Sequence, residues 1–319
     1  MKKAPLLEGI RIEPQYRERV WGGHSLRPES DKPIGEAWLV YEDNKVTSGS
    51  AQGRTLGEIA AEYGADFLGR RVVKQTGTRF PLLIKILDCH DWLSLQVHPD
   101  DEKAKQLEGP EHFGKTEAWY FLKAEEGARL ISGLQPGTTR EQMAEAIKSG
   151  ELIELAHYQP VEAGDSLLIP AGTIHALGPG LLLYEVQQTS DITYRVYDWD
   201  RPQTAGRALH IEQSIVASDP ALTGQFRKGT SLAEGARQRL LQCRYFALDL
   251  AGAQWGTIEL DTRQQTFHAL TVIEGEAEVE GSGWSQVLGT YESLVVPAAC
   301  GAYRLYPRGG FRALAASVE

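Results

Sequence analysis

Cysteine is scarce: Cys89, Cys243 and Cys300 are the only three in 319 residues, odd in number and without a CxxC spacing. That excludes a disulfide framework and a cysteine-built metal site, and a reduced, cytoplasmic protein is the simplest expectation. Long apolar runs are also missing. No uninterrupted stretch approaches the roughly 18 residues of a membrane-spanning helix, so no membrane partner is expected. At the N-terminus, Glu8, Arg11 and Glu13 break a short apolar stretch too early for a signal-peptide core. Basic charge is in deficit, with 33 Lys and Arg against 43 Asp and Glu, a formal net charge of −10. Nucleic acid is therefore not an expected partner, because its phosphates demand a basic face. A phosphorylated small molecule remains compatible, since it needs only a few local cations.

Glycine and proline, in contrast, are plentiful at 33 and 15, and they punctuate short apolar stretches. That is the pattern of many turns between short strands. Helical signals are few. The stretch TLGEIAAEYGADFL (55–68) carries Leu56, Ile59, Ala60 and Leu68 at helical spacing and predicts a helix that Gly64 weakens. In TTREQMAEAIKSG, Thr139 and Gln142 form a capping box and Gly150 supplies a stop. A second short helix is expected over 151–157, making a helical insertion at about 138–158. FPLLIKIL (80–87) reads as a buried strand that carries Lys85, a residue type almost never buried unpaired. GKTEAWYFLKAEEGARLISG (114–133) predicts a hairpin of two strands. Residues 203–235 read as an irregular polar connection, and strands return from 240 to 319.

An internal repeat organises these pieces. GDSLLIPAGTIHAL (164–177) resembles GTYESLVVPAACGAYRL (289–305): glycine, an apolar strand, proline, two small residues, then a new strand. Two copies of a short-strand barrel account for the length, the glycine content and the scarcity of helix. The expected division is 1–210 and 211–319.

Within the first copy, four side chains stand out. In LSLQVHPDDE (93–102) residues two apart share a strand face, so Ser94, Gln96 and His98 point one way while Leu93, Leu95 and Val97 point the other. Glu117 alternates with Trp119 and Phe121 on another strand, and His175 follows a Pro-x-Gly turn. Two His, a Glu and a Gln can form the first shell of a divalent cation with positions left for water or substrate. On the residues alone, a hydrogen-bonded structural histidine, the commoner case in a β protein, and a surface glutamate stay open readings. Asp100 and Asp101 are expected to start a loop or helix after Pro99.

These motifs carry a resemblance. Gly164, Pro170, Gly172 and His175 fit the second cupin motif, Gly, five residues, Pro-x-Gly, two residues, His. LLIKILD, LSLQVHPDD, GKTEAWYFL, PAGTIHAL and YEVQQTSDITYRVYDWDR, with RVWGG and IGEAW near the start, occur in the order and spacing of the short bacterial type I mannose-6-phosphate isomerases. The resemblance runs from about residue 14 to the end, loosely after residue 210.

It implies a mainly β fold of two cupin-like jelly-roll barrels. It also implies an isomerase that interconverts mannose 6-phosphate and fructose 6-phosphate through an enediol. One zinc per chain would be held by Gln96, His98, Glu117 and His175, although short members are often described with only the two His and the Glu. Arg195 corresponds to the family's active-site arginine and Lys115 and Glu185 to its proposed proton-transfer groups. Ser94 lines the site, and Lys85 joins Ser94 and Arg195 as a substrate-binding candidate.

The chemistry agrees with that set. Moving a proton between C2 and C1 needs a base, a cation or donor for the developing enediolate oxygen, and an anchor for the phosphate. Lys115 is one candidate base; Glu185 is the other, or orients Lys115. Arg195 clamps phosphate or stabilises the enediolate. The second copy lacks the ligands: aligned on Pro297, Ala299 and Ala302 stand where the glycine and histidine would be, and a metal-free C-terminal barrel is expected. Alternatives are an isomerase of another phosphosugar or free sugar, a non-catalytic sugar-phosphate-binding regulator, or a cupin metal oxygenase. Iron, manganese or cobalt also suit such ligands. Monomer and homodimer are both compatible with the sequence.

Overall fold

The computed structural model describes residues 5–202 and 207–318. By their internal contacts the residues form two units, neither continuous in sequence: 1–15, 38–84 and 230–319 in one, and 16–37 and 85–229 in the other. A cut at 210/211 would instead place 1–15 and 38–84 with the first domain.

The first unit is built on an eight-stranded antiparallel sheet whose longest members are His268–Gly281 and Ala302–Ser317. Alternation fills its core with Leu270, Val272, Val279, Leu305, Phe311 and Ala313. The strand Ser293–Val296, Pro297 and the strand from Ala302 follow the repeat seen in the sequence. His268, the one histidine of the second copy, bonds through Nδ1 to the Tyr303 hydroxyl at 2.7 Å. The helix expected over 55–68 starts where predicted, with Thr55 capping and Glu58 reciprocating. It breaks at Gly64, whose φ of +50° interrupts the helix, and continues as Ala65–Leu68 and Arg70–Thr76. Phe67, Phe80 and Phe267 pack together beneath these turns.

The second unit holds the candidate site. Five strands form one sheet, in the order Tyr194–Tyr197, Leu95–Val97, His175–Leu177, Arg129–Leu134, Ala156–Pro160. A seven-stranded sheet contains Glu117–Ala124 between Ser166–Ile169 and Leu181–Gln188, with Leu82–Cys89 next to the last. The stretch 114–133 is not the expected hairpin. Glu117–Ala124 and Arg129–Leu134 are strands, but they belong to different sheets. The turn between them passes from one sheet to the other, which alternation within each strand does not reveal.

Leu87, Trp119, Phe121, Leu130, Leu167, Ile169, Leu177 and Leu183 form one core cluster of this unit. Leu95, Val97, Ile131, Val196, Met143 and Ile147 form another, in which strand residues meet a helix. That helix, Arg140–Ser149, is the predicted one: Thr139 and Gln142 form the capping box and Gly150 ends it at φ +81°. The short helix expected at 151–157 is a 3-10 turn over Leu152–Leu155, because Ala156 already starts a strand. The connection read as irregular from 203 to 235 contains a helix, Ile211–Ala217, and a strand, Gln225–Arg227; 203–206 lie outside the described residues. The helix is too short for its periodicity to register, and Ser214 and Ala217 are what it buries.

Candidate metal centre and active site

Two strands and a turn deliver the ligands. Gln96 pairs with His175 on one side and Arg195 on the other, and His175 pairs with Ser132. Cross-strand partners lie side by side on one face, so Arg195, Gln96, His175 and Ser132 form a row. His98 follows two residues after Gln96. Its carbonyl accepts from Gly172 N–H at 2.8 Å, which ties the Pro-x-Gly turn to the end of the His98 strand. Gly172 sits at φ +92°, and a Cβ there would lie 3.1 Å from Leu222 and 3.3 Å from the Ala217 carbonyl. Glycine at that turn is therefore favoured by the backbone conformation, and a side chain there would also be tightly packed.

The two imidazoles present the same nitrogen. His98 Nδ1 lies 2.8 Å from the Ile192 carbonyl and His175 Nδ1 2.9 Å from the Thr173 carbonyl. A carbonyl only accepts, so each Nδ1 carries the proton and each Nε2 lone pair faces inward. From the other sheet Glu117 enters between them, with Oε1 3.0 Å from His175 Nε2 and Oε2 3.4 Å from His98 Nε2. All three side chains are 1% exposed. One donor atom from each lies within 4.8 Å of the others.

Electrostatics suits a cation here. Burial, then the charge of Lys115, pushes His98 down to about 3, which keeps its imidazole neutral and its lone pair available. Burial alone would raise Glu117, but Lys115, His98 and His175 outweigh it and hold the carboxyl well below its usual range. Both Glu117 oxygens are buried without a well-aligned hydrogen bond, although three cationic or imidazole nitrogens stand at ion-pair distance. Two inward lone pairs and an ionised carboxylate lacking aligned donors fit a divalent cation.

Gln96 is half-buried and its amide nitrogen donates to His175 Nε2 at 3.2 Å, while Ser94 Oγ donates to its oxygen at 3.3 Å. Lys115 Nζ donates to His98 Nε2 at 3.0 Å and lies 2.8 Å from Glu117 Oε2. Its loop is held in place: Asp101 accepts from Gly114 N–H and from Gln188, which in turn accepts from Thr116 N–H. Asp100 caps the helix Asp101–Leu107, as its place after Pro99 suggests.

Glu185 is committed elsewhere. One oxygen takes Lys85 Nζ at 3.0 Å and the other the Trp119 indole N–H at 2.8 Å. Lys85 also donates to Gln187 at 2.8 Å. Burial works against the Lys85 charge, but Glu185 and Glu36 outweigh it and raise its pKa. The structure thus pairs Glu185 with Lys85, whereas Lys115 touches the His–Glu–His group. Gln187 and Trp119 were not singled out in the sequence, though Gln187 shares the Glu185 face two residues on.

Arg195 is partly buried, and Nη1 donates to the Ala208 carbonyl at 3.1 Å. Burial and the neighbouring Arg207 lower its pKa, with Asp198 opposing.

A cupin-type β fold carrying a buried His–Glu–His group is a metalloenzyme scaffold, and the likenesses of the chain agree. The family model described as phosphomannose isomerase type I, catalytic domain, matches residues 10–121. The mannose-6-phosphate isomerase ManA of Bacillus subtilis is 34% identical over 313 residues, 93% of this chain and 96% of that one. The mannose-6-phosphate isomerase of Streptococcus mutans is 41% identical over 221 residues, 66% of this chain and 67% of its own. A crystal structure of a Bacillus subtilis mannose 6-phosphate isomerase superposes with a TM-score of 0.84 at 31% identity, covering 97% of this chain and 99% of that one. The chain belongs to the type I mannose-6-phosphate isomerase, or phosphomannose isomerase, family. Among the described residues no helix is long and apolar enough to cross a membrane.

Proposed function

We propose that this chain interconverts mannose 6-phosphate and fructose 6-phosphate, with one zinc held by His98, Glu117 and His175. The observation that carries this is the buried meeting of two inward-facing Nε2 atoms with Glu117, and Lys115 in contact with both His98 and Glu117. Gln96 stands beside His175 as the fourth donor once its amide oxygen is turned inward. When bound, the metal supplies a Lewis acid for the sugar oxygens. Lys115 carries the proton between C2 and C1, because of the two candidate bases it is the one that touches the triad. Glu185 instead holds Lys85 in place through a buried ion pair. Arg195, on the row that includes Gln96 and His175, meets the anionic oxygens of the substrate, and Ser94 and Lys85 line the site. The C-terminal copy serves as a metal-free barrel, and the free thiols of Cys89, Cys243 and Cys300 suit a reduced, cytoplasmic enzyme.

A coupled assay that detects fructose 6-phosphate tests the substrate. Turnover with mannose 6-phosphate, and at least tenfold lower kcat/KM with free mannose, is expected from an anion contact at Arg195. Metal-loaded protein that turns over neither sugar would contradict the proposal.

A further inference from the structure

Arg195 lies in Tyr194–Tyr197, the edge strand of the five-stranded sheet, and an edge strand needs partners for its outward N–H and C=O groups. Among the described residues no further strand pairs with it. At Arg195 one residue meets both groups: Arg195 N–H donates to His210 Nδ1 at 3.1 Å, and His210 N–H donates to the Arg195 carbonyl at 2.8 Å. The same segment reaches the side chain, since the Ala208 carbonyl accepts from Arg195 Nη1 at 3.1 Å. Both ends of residues 207–210 are anchored. Arg207 Nε donates to buried Asp198 at 2.7 Å, and the His210 carbonyl accepts from Ser214 N–H at 2.8 Å in the helix Ile211–Ala217. The ring of Tyr194, itself bonded to Glu108 at 2.8 Å, lies 6.1 Å from the imidazole.

We infer that His210 is a positioning residue for Arg195: its ring acceptor and its own N–H fix the Arg195 backbone, which holds the guanidinium against the Ala208 carbonyl two residues earlier in the segment. This rests on the proposed role of Arg195 at the substrate. The imidazole has to offer a lone pair at Nδ1, so it acts as a neutral side chain protonated at Nε2. Burial, then the Arg195 charge, lowers the His210 pKa and favours that form. A small misplacement of a substrate-contacting group costs up to about a hundredfold in rate, so the effect is measurable.

The geometry of the acceptor chooses the variants. The side-chain oxygen of asparagine occupies the place of Nδ1, whereas that of glutamine reaches the place of Nε2. His210→Ala and His210→Gln are expected to lower kcat/KM for mannose 6-phosphate about ten- to hundredfold, and His210→Asn to recover most of it. Metal content should equal the parent's in all three. In an Arg195→Ala background, His210→Ala should add no more than about twofold, because the group it positions is gone. Equal losses in the Asn and Ala variants, parent-like activity in His210→Ala, or multiplying losses in the double variant would overturn the inference and leave the role of Arg195 standing. A fully active Arg195→Ala enzyme would overturn both.

Discussion

At the scale of single residues, the proposed metal ligands and the proposed substrate-contacting arginine have different partners. His175 and Arg195 lie on one row of a sheet, yet His175 meets Glu117 while Arg195 bonds to Ala208. His175→Ala is therefore expected to lose bound metal and activity together. Arg195→Ala should keep metal and lose activity by about a hundredfold or more; elemental analysis beside the coupled assay checks the pair. The two candidate bases separate in the same way. Lys115→Met should keep its fold and metal while kcat falls about 10²- to 10⁴-fold. Glu185→Gln breaks the buried pair with Lys85, both under 7% exposed, and should cost on the order of 3 kcal/mol in a denaturant titration. The shared strand faces of the candidate ligands were legible because QVH and EAW alternate and Pro-x-Gly precedes His175, while their assignment as ligands came from the family resemblance. The partner of Glu185 was not, since a pairing of Lys85 with a residue 100 positions away depends on strand order alone.

At the scale of elements, local chemistry predicts boundaries well and pairing poorly. Thr139 with Gln142 and Gly150 marks the helix Arg140–Ser149 at both ends, and Thr55 starts the helix at 56. Removing the cap with Thr139→Ala is expected to lower the stability of the folded protein by about 1 kcal/mol, read as a shift of denaturation midpoint, with kcat unchanged. Gly64 shows the limit of periodicity, because the apolar spacing continues past it while the backbone does not. The 114–133 hairpin shows another. Both strands were visible, but whether consecutive strands pair or cross to the facing sheet is decided by what lies between the sheets. The helix Ile211–Ala217 was hidden by its length, and with it the role of His210 at the edge strand.

For the molecule as a whole, the repeat anticipated a mainly β chain, and the structural likeness to a phosphomannose isomerase agrees. The contact-defined units are less legible, since 1–15 and 38–84 join 230–319 and no composition change marks those joins. The candidate site needs none of that long-range assignment: every candidate ligand and every candidate catalytic residue lies between Lys85 and Arg195 in the second unit. We propose that a cation at His98, Glu117 and His175 makes the isomerase work. The most direct test of this is chelation followed by zinc titration, with metal content and fructose 6-phosphate production followed on the same sample. Turnover should vanish as metal leaves and return in step with zinc, reaching its plateau at about one ion per chain. Full turnover in protein shown to be free of metal would contradict the account.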